Sequence, residues 1–103
     1  MYSIVYTTTS SKEEASKIGR ELVENKLAAC VNIHAIDSVY SWDGNIEEDK
    51  EFALSAKTTT SRVQEITDHI RKVHSYELPA IVSWKITGEK EYLKWISENV
   101  KSD

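Results

Sequence analysis

The chain has 103 residues, 40% of them hydrophobic and 29% charged, which is enough for one core and too few for two, so a single domain over 1–103 is expected. Seventeen acidic residues against 13 basic ones leave a net charge of −4 without a basic run, so nucleic acid is not an expected partner. No apolar run reaches the roughly 18 to 20 residues of a membrane span, the start Met1-Tyr2-Ser3-Ile4-Val5-Tyr6 lacks a leader pattern, and the single Cys30 excludes an intrachain disulfide; these features predict a cytoplasmic protein off the membrane.

Ser3 to Thr8 is a short β-branched and aromatic run, the chemistry of a buried strand, closed by a polar Thr/Ser turn. Ser11 and Glu14 then form a capping-box signature, and Ala15, Ile18, Gly19, Leu22 and Val23 share one face of a helix that ends near Asn25, a residue that tolerates a left-handed cap. From Leu27 the apolar period is two. Leu27, Ala29, Val31 and Ile33 share a face, after which the parity flips to Ile36, Tyr40 and Trp42; the flip predicts a bulge or bend near Ala35. After the turn Asp43-Gly44, the run Glu47 to Glu51 reads as a charged, solvated segment. Phe52, Leu54 and Ala56 then face one way, with Glu51, Ala53, Ser55 and Lys57 the other. A second helix is predicted with Ser61 and Gln64 as its box and Val63, Ile66, Ile70 and Val73 buried. Ser75 to Pro79 connects it to a strand over Ala80 to Ile86, and a short helix bearing Tyr92, Leu93, Ile96 and Val100 follows.

The order β-α-β-β-α-β is the split βαβ arrangement of ferredoxin-like α+β domains, with two helices on one face of a four-stranded antiparallel sheet and the other face open. The hairpin between Ala28 and Thr58 is long for such a domain. At about 3.3 Å per residue each arm reaches on the order of 45 Å, whereas a compact chain of this size is only about 35 Å across. Its tip carries Tyr40, Trp42 and Ile46, which need cover. Another copy of the chain is the expected cover, in a tight homo-oligomer whose order the periodicity leaves open between dimer and trimer.

Several runs are similar to those of one family: Leu27-Ala28-Ala29-Cys30-Val31-Asn32, Ser38-Val39-Tyr40-Ser41-Trp42-Asp43-Gly44, Lys57-Thr58, His74-Ser75-Tyr76-Glu77-Leu78-Pro79 and Tyr92-Leu93-Lys94-Trp95-Ile96. Together, from end to end, they resemble the CutA, or divalent-cation tolerance, family. The resemblance implies a ferredoxin-like homotrimer with a link to copper and other divalent cations and a role in the response to metal ions. Some bacterial relatives have a thiol at the end of the first strand and two adjacent histidines as copper ligands. Here those positions hold Thr7 and the pair Val73-His74.

His74, Tyr76 and Glu77 lie within four positions of a connector and can present an imidazole, a phenol and a carboxylate to one cleft, with His74 and Glu77 as a partial site for copper or another divalent cation. A second reading of His74 stands beside it, as a residue interacting with the last carbonyls of the preceding helix. Lys57 and Tyr76 are candidates for a ligand cleft, with Lys57 meeting an anion or pairing with Glu77 across subunits. A small-molecule or anion sensor analogous to the PII trimers, or an interaction scaffold without metal chemistry, are the alternative functions. No phosphate loop, nucleophile elbow or paired-cysteine motif occurs, and an enzyme is not expected.

Overall fold

A computed structural model describes residues 1–102. The elements follow the order β1 (Tyr2–Thr9), α1 (Lys12–Glu24), β2 (Cys30–Trp42), β3 (Asn45–Thr59), α2 (Val63–Val73), β4 (Ile81–Ile86) and α3 (Lys90–Glu98), with a 3-10 turn at Thr60–Arg62 leading into α2. The four strands form one antiparallel sheet in the order β2-β3-β1-β4, the predicted ferredoxin-like α+β topology. Strict alternation in β1 sends Ser3, Val5, Thr7 and Thr9 inward under the helices. Val5 joins Ile18 and Leu22 of α1, Leu54 and Ala56 of β3, and Ile66 and Ile70 of α2 in the main core. Gly19 lets α1 approach the sheet closely, because a Cβ there would lie 2.8 Å from Val31 Cγ1.

The hairpin is as long as its sequence implies, and the domain is correspondingly elongated at 44 × 24 × 20 Å. Its turn has φ of 52° at Asp43 and 80° at Gly44, between the paired residues Trp42 and Asn45, which is the twist-matched two-residue geometry that Asp-Gly favours. The bulge expected near Ala35 is absent. Pairing runs without a break from Cys30↔Lys57 through Ala35↔Phe52 to Trp42↔Asn45. The parity flip has another cause: the covered side of the ribbon changes along its length. Val31 packs on the core under α1, whereas beyond the helices Ile36 and Tyr40 border a groove on the opposite side.

Other expectations are corrected locally. Lys26, not Asn25, takes the left-handed backbone after α1, with φ of 56°, while Asn25 caps Glu21 through its side-chain amide. The Ser61–Gln64 box does not form: Ser61 Oγ lies 3.2 Å from Thr59 Oγ1 and Gln64 donates to Asp68, the 3-10 turn having moved the helix start to Val63. Val73 is exposed rather than buried, on the last turn of α2. Glu51, read as part of a solvated charged run, is buried. The open face of the sheet is also partly covered. At one end, Ile96 of α3 and Val100 just beyond it pack against Ala29, with Tyr2 beside them. Glu89 accepts from the backbone N–H groups of Glu91 and Tyr92 to start that helix, which holds its carboxyl below the usual range. Buried Arg62 donates to the carbonyls of Lys101 (3.0 Å) and Ser102 (2.7 Å) and bonds Glu65, tying down the chain after α3.

Candidate functional site

The connector after α2 crosses the other end of the open face, and three side chains from separate elements fasten it. His74 is the innermost, its side chain fully buried. Its Nε2 donates to the Thr8 carbonyl at 2.8 Å, and its Nδ1 accepts from the Tyr76 backbone N–H at 3.0 Å. A carbonyl can only accept and an amide N–H can only donate, so these partners hold the ring in its Nε2–H tautomer. The Glu14 carboxylate, freed from the reciprocal half of its capping box, reaches across from α1 and accepts from Ser75 N (2.8 Å) and Ser75 Oγ (2.9 Å). Burial works against this charge, but the bonds from Ser75 outweigh it and lower the pKa of Glu14. Glu51 on β3 supplies the third attachment, accepting from the Tyr76 hydroxyl at 2.6 Å. Burial and that bond to a carboxylate push the phenol of Tyr76 well above its usual range.

Between this fastened connector and the outer half of the hairpin lies a groove of about 950 Å³. Ile36, Val39, Tyr40 and Trp42 form its hairpin wall, Tyr76, Glu77 and Leu78 its connector wall, and Glu51 lines it from β3. The Tyr40 hydroxyl donates to Asp49, which raises its pKa to about 12.

The residues singled out from sequence are thus only partly brought together. Tyr76, Glu77, Tyr40 and Trp42 line one groove, whereas Ile46 is 73% exposed at the tip. Lys57 lies six residues from Glu51 along β3, about 20 Å at 3.3 Å per residue. There it bonds the Tyr92 hydroxyl at 3.2 Å beneath α3, so Lys57 and Tyr76 do not share a cleft within one chain. His74 and Glu77 do not make a closed metal site either. Both ring nitrogens of His74 are bonded to backbone, Glu77 is exposed, and among the described residues no group of three or more His, Cys, Asp or Glu converges to hold an ion. Cys30 and Thr7 lie elsewhere: Cys30 is paired with Lys57 at the far end of the hairpin, and Thr7 faces the helix-side core. Glu51 and Glu14 were the residues that pattern reading missed. The signal for Glu51 was present in the alternation that puts it on one face with Ala53 and Ser55.

A family model described as CutA1 divalent ion tolerance protein matches residues 3–99. The divalent-cation tolerance protein CutA of Archaeoglobus fulgidus is 44% identical over 102 residues, spanning 98% of this chain and all of the relative. The structure of the periplasmic divalent cation tolerance protein CutA from that organism superposes with a TM-score of 0.95 at 44% identity, covering 98% of this chain and 100% of the other. The chloroplastic protein CutA of Arabidopsis thaliana is 37% identical over 101 residues, 96% of this chain and 56% of the relative. These relatives overturn the cytoplasmic expectation, since one is periplasmic and another chloroplastic. Composition and a single cysteine do not report the compartment in this family.

Proposed function

The chain belongs to the CutA1 divalent ion tolerance family, and from that premise we propose that it acts in divalent-cation tolerance as a homotrimer rather than through a metal centre enclosed in one chain. The observation that carries this reading is the apolar surface left without a partner. Val82 and Trp84 stand about half exposed on the open face of β4, and Val39, Trp42 and Ile46 are between 50% and 73% exposed on the outer hairpin. Large apolar side chains left exposed in two regions of one small chain mark surfaces that meet a partner, and a ferredoxin-like sheet is covered most economically by further copies of itself.

The same reading places the metal contact at a seam between chains. A copper ion approaching the connector meets the exposed carboxylate of Glu77, whereas binding to His74 requires release of the Thr8 carbonyl or the Tyr76 amide. Ligands from a neighbouring chain must therefore complete any site, with copper as the first cation to test and with no resident cofactor inside the protomer. Catalysis forms no part of the proposal. Equilibrium dialysis against copper tests it on the wild type, on Glu77→Gln and on a chain kept monomeric by Trp42→Ala with Ile46→Glu. Binding that is lost in both variants is the expected result. Undiminished binding by the monomeric chain would contradict the seam, and no binding by the wild type would remove metal from the function and leave an interaction scaffold.

A further inference from the structure

We infer that α3 and the chain after it form a lid over one end of the open sheet face, hinged at residues 87–89 and latched by Arg62, and that this lid opens as a unit while the rest of the domain stays folded. The inference does not rest on the metal or the trimer reading. Its first support is the separation of two apolar clusters. The main core joins nine buried residues from β1, α1, β3, α2 and the pair Leu27 and Ala28, and none of them belongs to α3. The lid has a cluster of its own, in which Ile96 and Val100 meet Ala29 while Tyr2 and Leu93, both partly buried, pack alongside. A helix of 9 residues does not hold itself together in water, so α3 is ordered by this small seat and by what ties down the chain beyond it.

That chain reaches the helix layer. Lys101 donates its N–H to the Lys26 carbonyl at 2.9 Å, and its ammonium group lies 3.4 Å from Glu65. Arg62, in the 3-10 turn before α2, donates from Nε to the Lys101 carbonyl at 3.0 Å and from Nη2 to the Ser102 carbonyl at 2.7 Å. Its side chain is only 11% exposed and a guanidinium keeps its charge, so the two carbonyls satisfy a cation that has little access to water. Opening the lid takes both acceptors away. Once they leave, neither two apolar side chains nor so short a helix keeps the lid seated, which makes the opening cooperative. At its near end the lid pivots on residues 87–89, which lie outside any helix or strand and include Gly88. Beneath it the Lys57 amine bonds the Tyr92 hydroxyl at 3.2 Å and stands 5.3 Å from the centre of that ring. Opening carries Tyr92 off and presents Lys57, Ala29 and Tyr2 on the sheet, so the lid governs access to this end of the face.

Amide hydrogen exchange of the full-length protein, followed residue by residue, tests the lid. The amides of residues 94–98 are expected to share one opening constant, about tenfold or more above that of Val5 and Thr7 in β1. Arg62→Met keeps an apolar stem and removes the donors, and it is expected to raise the α3 opening constant by about tenfold or more. Lys101→Pro removes the N–H donated to Lys26 and leaves Arg62 in place, with an expected rise of about fivefold; it keeps the test informative should Arg62→Met disturb the start of α2. Leu54→Ala is the contrasting variant. It is expected to raise the opening constant of β1 by about thirtyfold or more and to leave that of α3 within about twofold, because Leu54 stays buried when only the lid opens. Equal opening constants for α3 and β1 in the wild type, a rise in α3 exchange that follows Leu54→Ala, or unchanged α3 exchange in both latch variants would overturn the lid. A gradient of exchange falling off from the end of the chain would overturn it as well, by showing fraying in place of a unit that opens.

Discussion

The inner and outer halves of the long hairpin share one unbroken ladder, yet they are ordered by different means. In the inner half, Leu54 and Ala56 are fully buried and Val31 packs beside them under α1, so tertiary contacts fix the register. In the outer half the same ladder continues past the helices with Val39, Trp42 and Ile46 exposed, and side-chain pairs such as Asp37–Lys50 and Tyr40–Asp49 sit in water. Exposed ion pairs of this kind contribute little to stability. A regular backbone therefore says nothing about what stabilises it. The inner half belongs to the fold, and the outer half depends on the assembly proposed above and on the connector that borders it.

Breaking the inner half has the largest expected effect. Leu54→Ala removes a fully buried side chain from the core and is expected to destabilise the protein by about 2 to 5 kcal/mol, read as a lowered midpoint in chemical denaturation. Gly19→Ala is expected to lose about 1 to 3 kcal/mol, because its methyl group would meet stiff, β-branched Val31 at 2.8 Å. A gain in stability there would show that α1 can lift away from the sheet freely.

The connector gives a smaller, pH-dependent effect. Glu14→Ala leaves Ser75 without its carboxylate acceptor and is expected to lose about 1 to 3 kcal/mol at neutral pH. The folded-state pKa of Glu14 is lowered, so its contribution is present above the ordinary carboxylate range and fades as pH falls through the folded value. Denaturation curves of wild type and variant should therefore converge in acid. A constant gap from neutral pH to strong acid would show that the Glu14 charge does not hold the connector.

Much of this was legible in the chain. Periods of two and of 3.6 located the four strands and three α-helices, though not the 3-10 turn before α2, Asp43-Gly44 gave the turn, and Ser11 with Glu14 marked the start of α1, where Ser11 Oγ accepts from the Glu14 N–H at 3.1 Å. Errors arose where one residue had two local uses. Glu14 has the spacing of a box but bonds Ser75, 61 positions away, and no local pattern encodes that distance. Glu51 ended a charged run and also stood on the face that Tyr76 covers; composition favoured the first reading and parity the second. The flip at Ala35 was real in sequence, but it recorded a change of covering layer and not a bulge. His74 and Glu77 were found by type and spacing, whereas the two backbone bonds that engage the imidazole depend on where β1 ends.

The smallest effect on the fold should accompany the largest effect on assembly. Trp42 is half exposed, so Trp42→Ala is expected to change the stability of an isolated chain by no more than about 0.5 kcal/mol. Sedimentation equilibrium of the wild type and of Trp42→Ala with Ile46→Glu tests the central claim most directly. The account predicts three times the mass of one chain for the wild type, and a smaller species with an intact sheet for the variant. A monomeric wild type, or a variant that retains the full oligomer, would contradict it.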